Sequence, residues 1–196
     1  MLDKKRITII CGHYGSGKST VAVAHALRLA KQQQQRVVLA DLDIVNPYFR
    51  SADHADQLKA GGVEVICSAY ANSNLDFPAL PREIYTIVND RTARFVLDIG
   101  GDERGALVLG RLSKAIKEEN NYEMLAVINM YRPLTQTAPD TVEILREIEK
   151  SAKINFTAVL NNSNLGAETT QAIVADSTPY AQQVATLMSI PLIKLN

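Results

Sequence analysis

The eight residues Gly12-His13-Tyr14-Gly15-Ser16-Gly17-Lys18-Ser19 constrain this chain more than any other stretch. They fit G-x-x-x-x-G-K-[ST] at every position. Glycines at 12, 15 and 17 let the backbone curl until successive N–H groups converge, and a phosphate is the partner such a concavity takes. A helix beginning near Lys18 adds its positive end. On this chemistry the loop through Thr20 cradles a nucleotide, the Lys18 ammonium reaches the β and γ phosphates, and the Ser19 hydroxyl binds Mg²⁺. The flanks agree. Residues 6–11 (RITIIC) form an apolar, β-branched run, and from 18 to about 33 the pattern turns helical. Val23, Ala26, Leu27 and Ala30 share one stripe there, while His25, Arg28 and Lys31 face elsewhere.

The same alternation continues to the end of the chain. Further strands are expected at residues 36–40, 63–67, 94–98, 124–129, 156–160 and 190–193. Helical segments separate them, including 106–119 and 168–188, the latter with a break near Pro179. Thr137-Ala138-Pro139-Asp140 opens another helix with a capping threonine, a first-turn proline and an acid three residues on. Several strands are apolar throughout, which fits burial on both faces. The fold class is α/β: one domain over 1–196, built on a mainly parallel twisted sheet of about seven strands with helices on both faces.

A phosphate loop needs a carboxylate to hold Mg²⁺ through its water shell. Asp98 ends a strong apolar strand and is followed by Ile99-Gly100-Gly101. It is the first choice for that role, a strand-end turn being the alternative. Asp41-Leu42-Asp43 ends the second strand. Two residues apart on an extended chain, these carboxylates point to one side, and two like charges there need a cation or donors nearby. Asp41 is assigned to the metal. Asp43 positions, or takes a proton from, an attacking water. A solvated loop or a helix cap is the alternative for the pair.

Lys and Arg number 21, as do Asp and Glu. With no basic excess, neither nucleic acid nor an anionic membrane is an expected partner. No apolar run approaches the ~18 residues of a membrane span, and no leader-like segment is visible. The two cysteines, Cys11 and Cys67, lack metal-ligand spacing. A reduced, cytoplasmic protein is expected.

Together, GxxxxGKS, a strand ending in DxD and a later hhhDhGG resemble the MinD/ParA/CobQ–CobB (SIMIBI) class of P-loop ATPases. DLDIVNPYFR (41–50), LDIGGDERGA (97–106), INMYRP (128–133) and LNNSNLG (160–166) resemble a bacterial family of ATP-binding proteins within that class. The resemblance implies ATP and Mg²⁺ as cofactors and a homodimer or protein partner. It places Asp43 in the first switch and Asp98 with Gly100-Gly101 in the second. It also assigns an adenine-reading asparagine to Asn161 or Asn162, where a tight turn is the alternative. One departure stands out. The class carries a signature lysine early in the loop, and here that position is His13. Arg104, Arg132 or a partner would have to supply its charge. The aromatic–arginine segment Asn46-Pro47-Tyr48-Phe49-Arg50 suits either core anchoring or a contact with substrate or partner. A slow regulatory or assembly ATPase is the first expectation. A small-molecule kinase or ATP-dependent ligase is the second, and a scaffold that binds nucleotide with little turnover is the third.

Overall fold

The computed structural model describes residues 4–32, 35–43, 52–67 and 82–194. Seven strands form one sheet: β1 (Ile7–Cys11), β2 (Arg36–Asp41), β3 (Val63–Cys67), β4 (Ala93–Asp98), β5 (Tyr122–Ile128), β6 (Ala158–Asn161) and β7 (Leu192–Ile193). Their spatial order is β3-β2-β4-β1-β5-β6-β7, and every pairing is parallel. The helices are α1 (Lys18–Lys31), α2 (Ala52–Ala60), α3 (Thr86–Asn89), α4 (Glu103–Glu119), α5 (Ala138–Ala152), α6 (Gln171–Asp176) and α7 (Thr178–Met188).

Strand parity divides the core into two layers. Ile7, Ile9, Phe95, Leu97, Met124 and Ala126 pack with α4, α5 and α7 on one face. Ile10, Leu39, Val96, Leu125 and Val127 pack with α1 and with Leu58 of α2 on the other. Successive residues thus enter opposite layers, which is why the strands read as apolar without alternation.

Local chemistry sets the ends of the helices. Thr137 caps α5, its Oγ1 accepting the Asp140 N–H at 3.3 Å, with Pro139 in the first turn as expected. The break expected near Pro179 falls at Ser177, whose Oγ donates to the Val174 carbonyl at 2.7 Å and closes α6. Pro179 then sits in the first turn of α7, where a missing N–H is harmless.

His25 corrects the sequence reading, because it is 1 % exposed and faces inward. Arg28 Nη2 lies 3.0 Å from its Nδ1, and its Nε2 lies 3.3 Å from Thr8 Oγ1. Arginine only donates, so Nδ1 accepts and Nε2 carries the proton. The Thr8 hydroxyl passes the chain on to Glu123 Oε1 at 3.1 Å. A polarity pattern counts imidazole as solvent-facing, whereas a ring bonded at both nitrogens is tolerated inside.

At the amino end of the sheet, Arg6 is buried with Glu119, their side chains 6 % and 5 % exposed. The guanidinium also donates to the carbonyls of Ile87 (2.9 Å) and Asp90 (2.8 Å) and lies 5.5 Å from the Phe95 ring centre. Among the described residues no helix is long and apolar enough to cross a membrane.

Candidate functional site

In a parallel sheet the carboxyl ends of the strands share one edge. β1 lies between β4 and β5, and the chain runs from β1 to β2 on one side and from β4 to β5 on the other. A crevice opens at such a switch point, and the loop between β1 and α1 fills it. Gly17 is the N-cap of α1 at φ 87, a left-handed conformation, and a Cβ there would meet Asn162 Nδ2 at 2.3 Å. The loop after β4 crosses the start of this cradle so closely that a Cβ on Gly101 would lie 2.1 Å from the Gly12 carbonyl oxygen. The small residues expected after Asp98 are therefore required by contact.

Lys18 is buried, and its Nζ donates to the His13 carbonyl at 3.4 Å. The Ser16 N–H closes a turn onto the same carbonyl at 3.2 Å. Ser19 is half-buried, Thr20 is exposed on the first turn of α1, and Gly15 and Tyr14 form an exposed tip. His13 is half-buried, and partial burial lowers its pKa below the ordinary histidine value, with the Lys18 charge acting in the same direction. A backbone hydrogen bond at Tyr14 acts the other way.

The acids converge as parity demands. Asp41 and Asp98 are register partners on adjacent strands, on the face that Leu39 and Val96 turn towards α1. Asp98 is fully buried, and neither carboxylate oxygen completes a hydrogen bond. Burial pushes its pKa from 3.8 to about 6. The nearby Ser19 hydroxyl and Lys18 ammonium pull it back, and the Asp43 charge raises it further. The Asp43 N–H donates to Asp41 Oδ1 at 3.1 Å. The Asp43 carboxylate stands over Gly100, where an added Cβ would lie 3.1 Å from Oδ1. Lys18, Ser19, Asp41, Asp43 and Asp98 thus share one crevice. Among the described residues no three His, Cys, Asp or Glu side chains form a metal cage. A buried, unpartnered carboxylate beside a serine hydroxyl instead fits Mg²⁺, which keeps several waters and takes few protein ligands.

Asn161 and Asn162 lie at the carboxyl end of β6, beside the cradle. Both ends of the Asn161 amide are engaged: Nδ2 donates to Ser177 Oγ at 2.8 Å, and Oδ1 accepts the Ser163 N–H at 3.1 Å. The Asn162 Nδ2 donates to the Ser16 carbonyl at 2.7 Å. Arg132, in the loop after β5, donates from Nε to the Gly15 carbonyl at 3.0 Å. Asn46-Pro47-Tyr48-Phe49-Arg50 and the Arg104 side chain lie outside the described residues.

Asn129 escaped the sequence reading as a site residue. It is buried. Its Oδ1 accepts the N–H of Tyr131 (3.0 Å) and of Asn164 (3.3 Å), and its Nδ2 donates to the Asn164 carbonyl (3.2 Å), tying together the loops after β5 and β6. Its signal was visible: a polar residue closing the apolar run MLAVIN, as Asp98 closes RFVLD. A groove of about 700 Å³ runs from His13 and Gly101 between α4 and α5 to Lys150 and Lys153.

No protein-family model matches the chain, and no curated protein matches it. Solved structures do. A nucleotide-binding protein from Archaeoglobus fulgidus, in complex with ADP, is 16 % identical over 98 % of this chain and 81 % of its own, with a TM-score of 0.52. The 54 kDa signal recognition particle protein from Aeropyrum pernix K1, in complex with GDP, is 18 % identical over 98 % of this chain and 42 % of its own (TM-score 0.59). FtsY from Mycoplasma mycoides is 17 % identical over 98 % of this chain and 60 % of its own (TM-score 0.58). This chain has the P-loop NTPase fold, an all-parallel seven-stranded sheet with helices.

Proposed function

We propose that this chain binds ATP with Mg²⁺ at residues 12–20 and hydrolyses it slowly, as a regulatory or assembly ATPase of the MinD/ParA-like kind that its sequence resembles. The observation that carries the reading is Asp98, a buried carboxylate without a well-formed hydrogen bond beside Ser19 and Lys18. Such a group is expensive in a resting fold and suits a hydrated cation. Bound Mg²⁺ would neutralise charge across the β and γ phosphates. Ser19 and Asp98 would hold it, with Asp41 nearby. Lys18 would exchange the His13 carbonyl for the phosphates. Asp43, on the rim above Gly100, orients water and accepts its proton. ATP is preferred to GTP because Asn161-Asn162-Ser163-Asn164 lacks the lysine and aspartate of a guanine-reading Asn-Lys-x-Asp. A neutral His13 leaves transition-state charge undercompensated, which supports slow turnover unless a second copy or a partner completes the site. Tyr14 and Leu134, 67 % and 69 % exposed near the cradle, suit such a cover.

The test is Mg²⁺-dependent phosphate release across a range of protein concentrations, with Lys18→Ala as the blank. Specific activity that rises with concentration and vanishes in the variant supports a self-assembling ATPase. Activity never above the blank refutes self-activated hydrolysis and leaves a chain that awaits a partner or passes its phosphate to an acceptor other than water. For the second of these, the groove beginning at His13 and Gly101 gives room.

A further inference from the structure

Two side chains outside the glycine-rich motif grip the phosphate loop from different directions. Asn162 Nδ2 holds the Ser16 carbonyl at 2.7 Å, and Arg132 Nε holds the Gly15 carbonyl at 3.0 Å. These carbonyls are consecutive. Both donors are anchored in turn. The Asn162 N–H donates to the Ile128 carbonyl at 2.9 Å, and Asn164 Nδ2 donates to the Asn162 carbonyl at 2.6 Å. The Arg132 N–H donates to the Asn129 carbonyl at 3.3 Å, within the loop that Asn129 itself fastens.

A trans peptide is planar, with its C=O and N–H on opposite sides. A donor that fixes the Ser16 carbonyl from outside therefore turns the Gly17 N–H towards the start of α1, where the first-turn N–H groups also point. Arg132 fixes the preceding peptide, whose Ser16 N–H closes the turn onto His13. The loop tip is thus held on both faces. The fit is close at Gly17, where a Cβ would lie 2.3 Å from Asn162 Nδ2, while a Cβ on Gly15 would meet Arg132 Cδ at an ordinary 3.5 Å. A loop with glycine at 12, 15 and 17 is otherwise loose, and ordering it in advance lowers the cost of binding.

We propose that Asn162 and Arg132 are positioning residues that preform the cradle for the β-phosphate of a nucleoside di- or triphosphate. The inference rests on the nucleotide reading given above.

The experiment titrates a fluorescent ADP analogue, with Mg²⁺, into wild type, Lys18→Ala, Asn162→Ala, Arg132→Ala and Arg132→Lys. Amide correlation spectra follow Gly17 in the wild type and in Asn162→Ala. Wild type is expected to bind, Lys18→Ala to serve as the blank, and Asn162→Ala and Arg132→Ala each to bind roughly tenfold more weakly than wild type, the scale of one hydrogen bond lost. Arg132→Lys should recover most of its loss, since an ammonium can donate to the same carbonyl. The Gly17 amide should shift on ADP addition in wild type and respond far less in Asn162→Ala. Arg132 is at the surface, so its two variants carry the test if Asn162→Ala does not fold. If wild type binds and Asn162→Ala and Arg132→Ala bind equally well while Lys18→Ala does not, the positioning role is wrong while the nucleotide reading stands. If wild type binds no ADP, the nucleotide reading falls, and this inference with it.

Discussion

Asp98→Asn separates what the fold wants from what the site needs. In the folded chain Asp98 titrates at about 6 instead of 3.8. At about 1.4 kcal/mol per unit, its ionised form costs the ligand-free fold about 3 kcal/mol at pH 7. The sign follows from the direction of the shift. A raised folded pKa means folding favours the protonated acid, so stability is intact below the unfolded value and is lost as pH rises from about 4 to about 6. Asparagine keeps the shape and removes the charge. Its amide still lacks partners, which returns about 1–3 kcal/mol of the gain. The ligand-free variant should therefore lie between equal stability and about 2 kcal/mol above wild type at pH 7. At about 2–4 °C per kcal/mol, that is a rise in Tm of up to roughly 8 °C. The advantage should vanish near pH 4, where the wild-type carboxyl is itself neutral. Thermal melts at pH 4 and pH 7, with and without Mg²⁺ and ADP, measure this. Mg²⁺ with ADP should stabilise wild type much more than the variant, and turnover of the variant should fall to the Lys18→Ala blank. A variant several kcal/mol less stable at pH 7, with the pH dependence of wild type, would refute the reasoning. It would make Asp98 a satisfied structural acid.

Two further outcomes concern the frame. Glu119→Gln leaves the Arg6 guanidinium buried without its counter-charge and should cost about 3–5 kcal/mol in urea unfolding. In wild type the Arg6 hydrogen bond, ahead of its charge, holds the Glu119 pKa below 4.5, so this stabilisation is present above pH 4.5 and is lost as pH falls through the folded value. Thr137→Ala removes the cap of α5 and should cost about 1 kcal/mol, with nucleotide affinity unchanged by the same fluorescence titration.

What was legible in the sequence was local. The cradle is eight consecutive residues, and Asp41 and Asp98 announce themselves by closing apolar strands. The sheet follows from alternation, and the α5 cap from four adjacent residues. What was not legible joins distant parts of the chain. Asn162 and Ser16 are 146 positions apart, Arg132 and Gly15 are 117, and Arg6 and Glu119 are 113. A polar side chain near a strand end carries no mark of which carbonyl it will meet. Boundaries slipped for a related reason. The strand expected from 156 begins at Ala158, because the Phe156 N–H is taken at 2.8 Å by the Glu149 carboxylate of α5.

The two ends of the sheet treat buried charge in opposite ways, and the contrast bears on function. At the amino end Arg6 meets a carboxylate, two carbonyls and an aromatic face, so each part of the guanidinium has a partner. At the carboxyl end Asp98, equally buried, has a hydroxyl and an ammonium within reach and a well-formed hydrogen bond to neither. Packing quality does not explain the difference, since Ile10 and Leu97 beside Asp98 are as fully enclosed as Ile7 and Phe95 beside Arg6. Nor does a shortage of donors, since Lys18 gives its Nζ to a backbone carbonyl at 3.4 Å, beyond good hydrogen-bond length. On the proposed reading, Asp98 and Lys18 are kept available for a ligand. A polyphosphate with its cation would supply both signs at once, giving each group the partner it lacks.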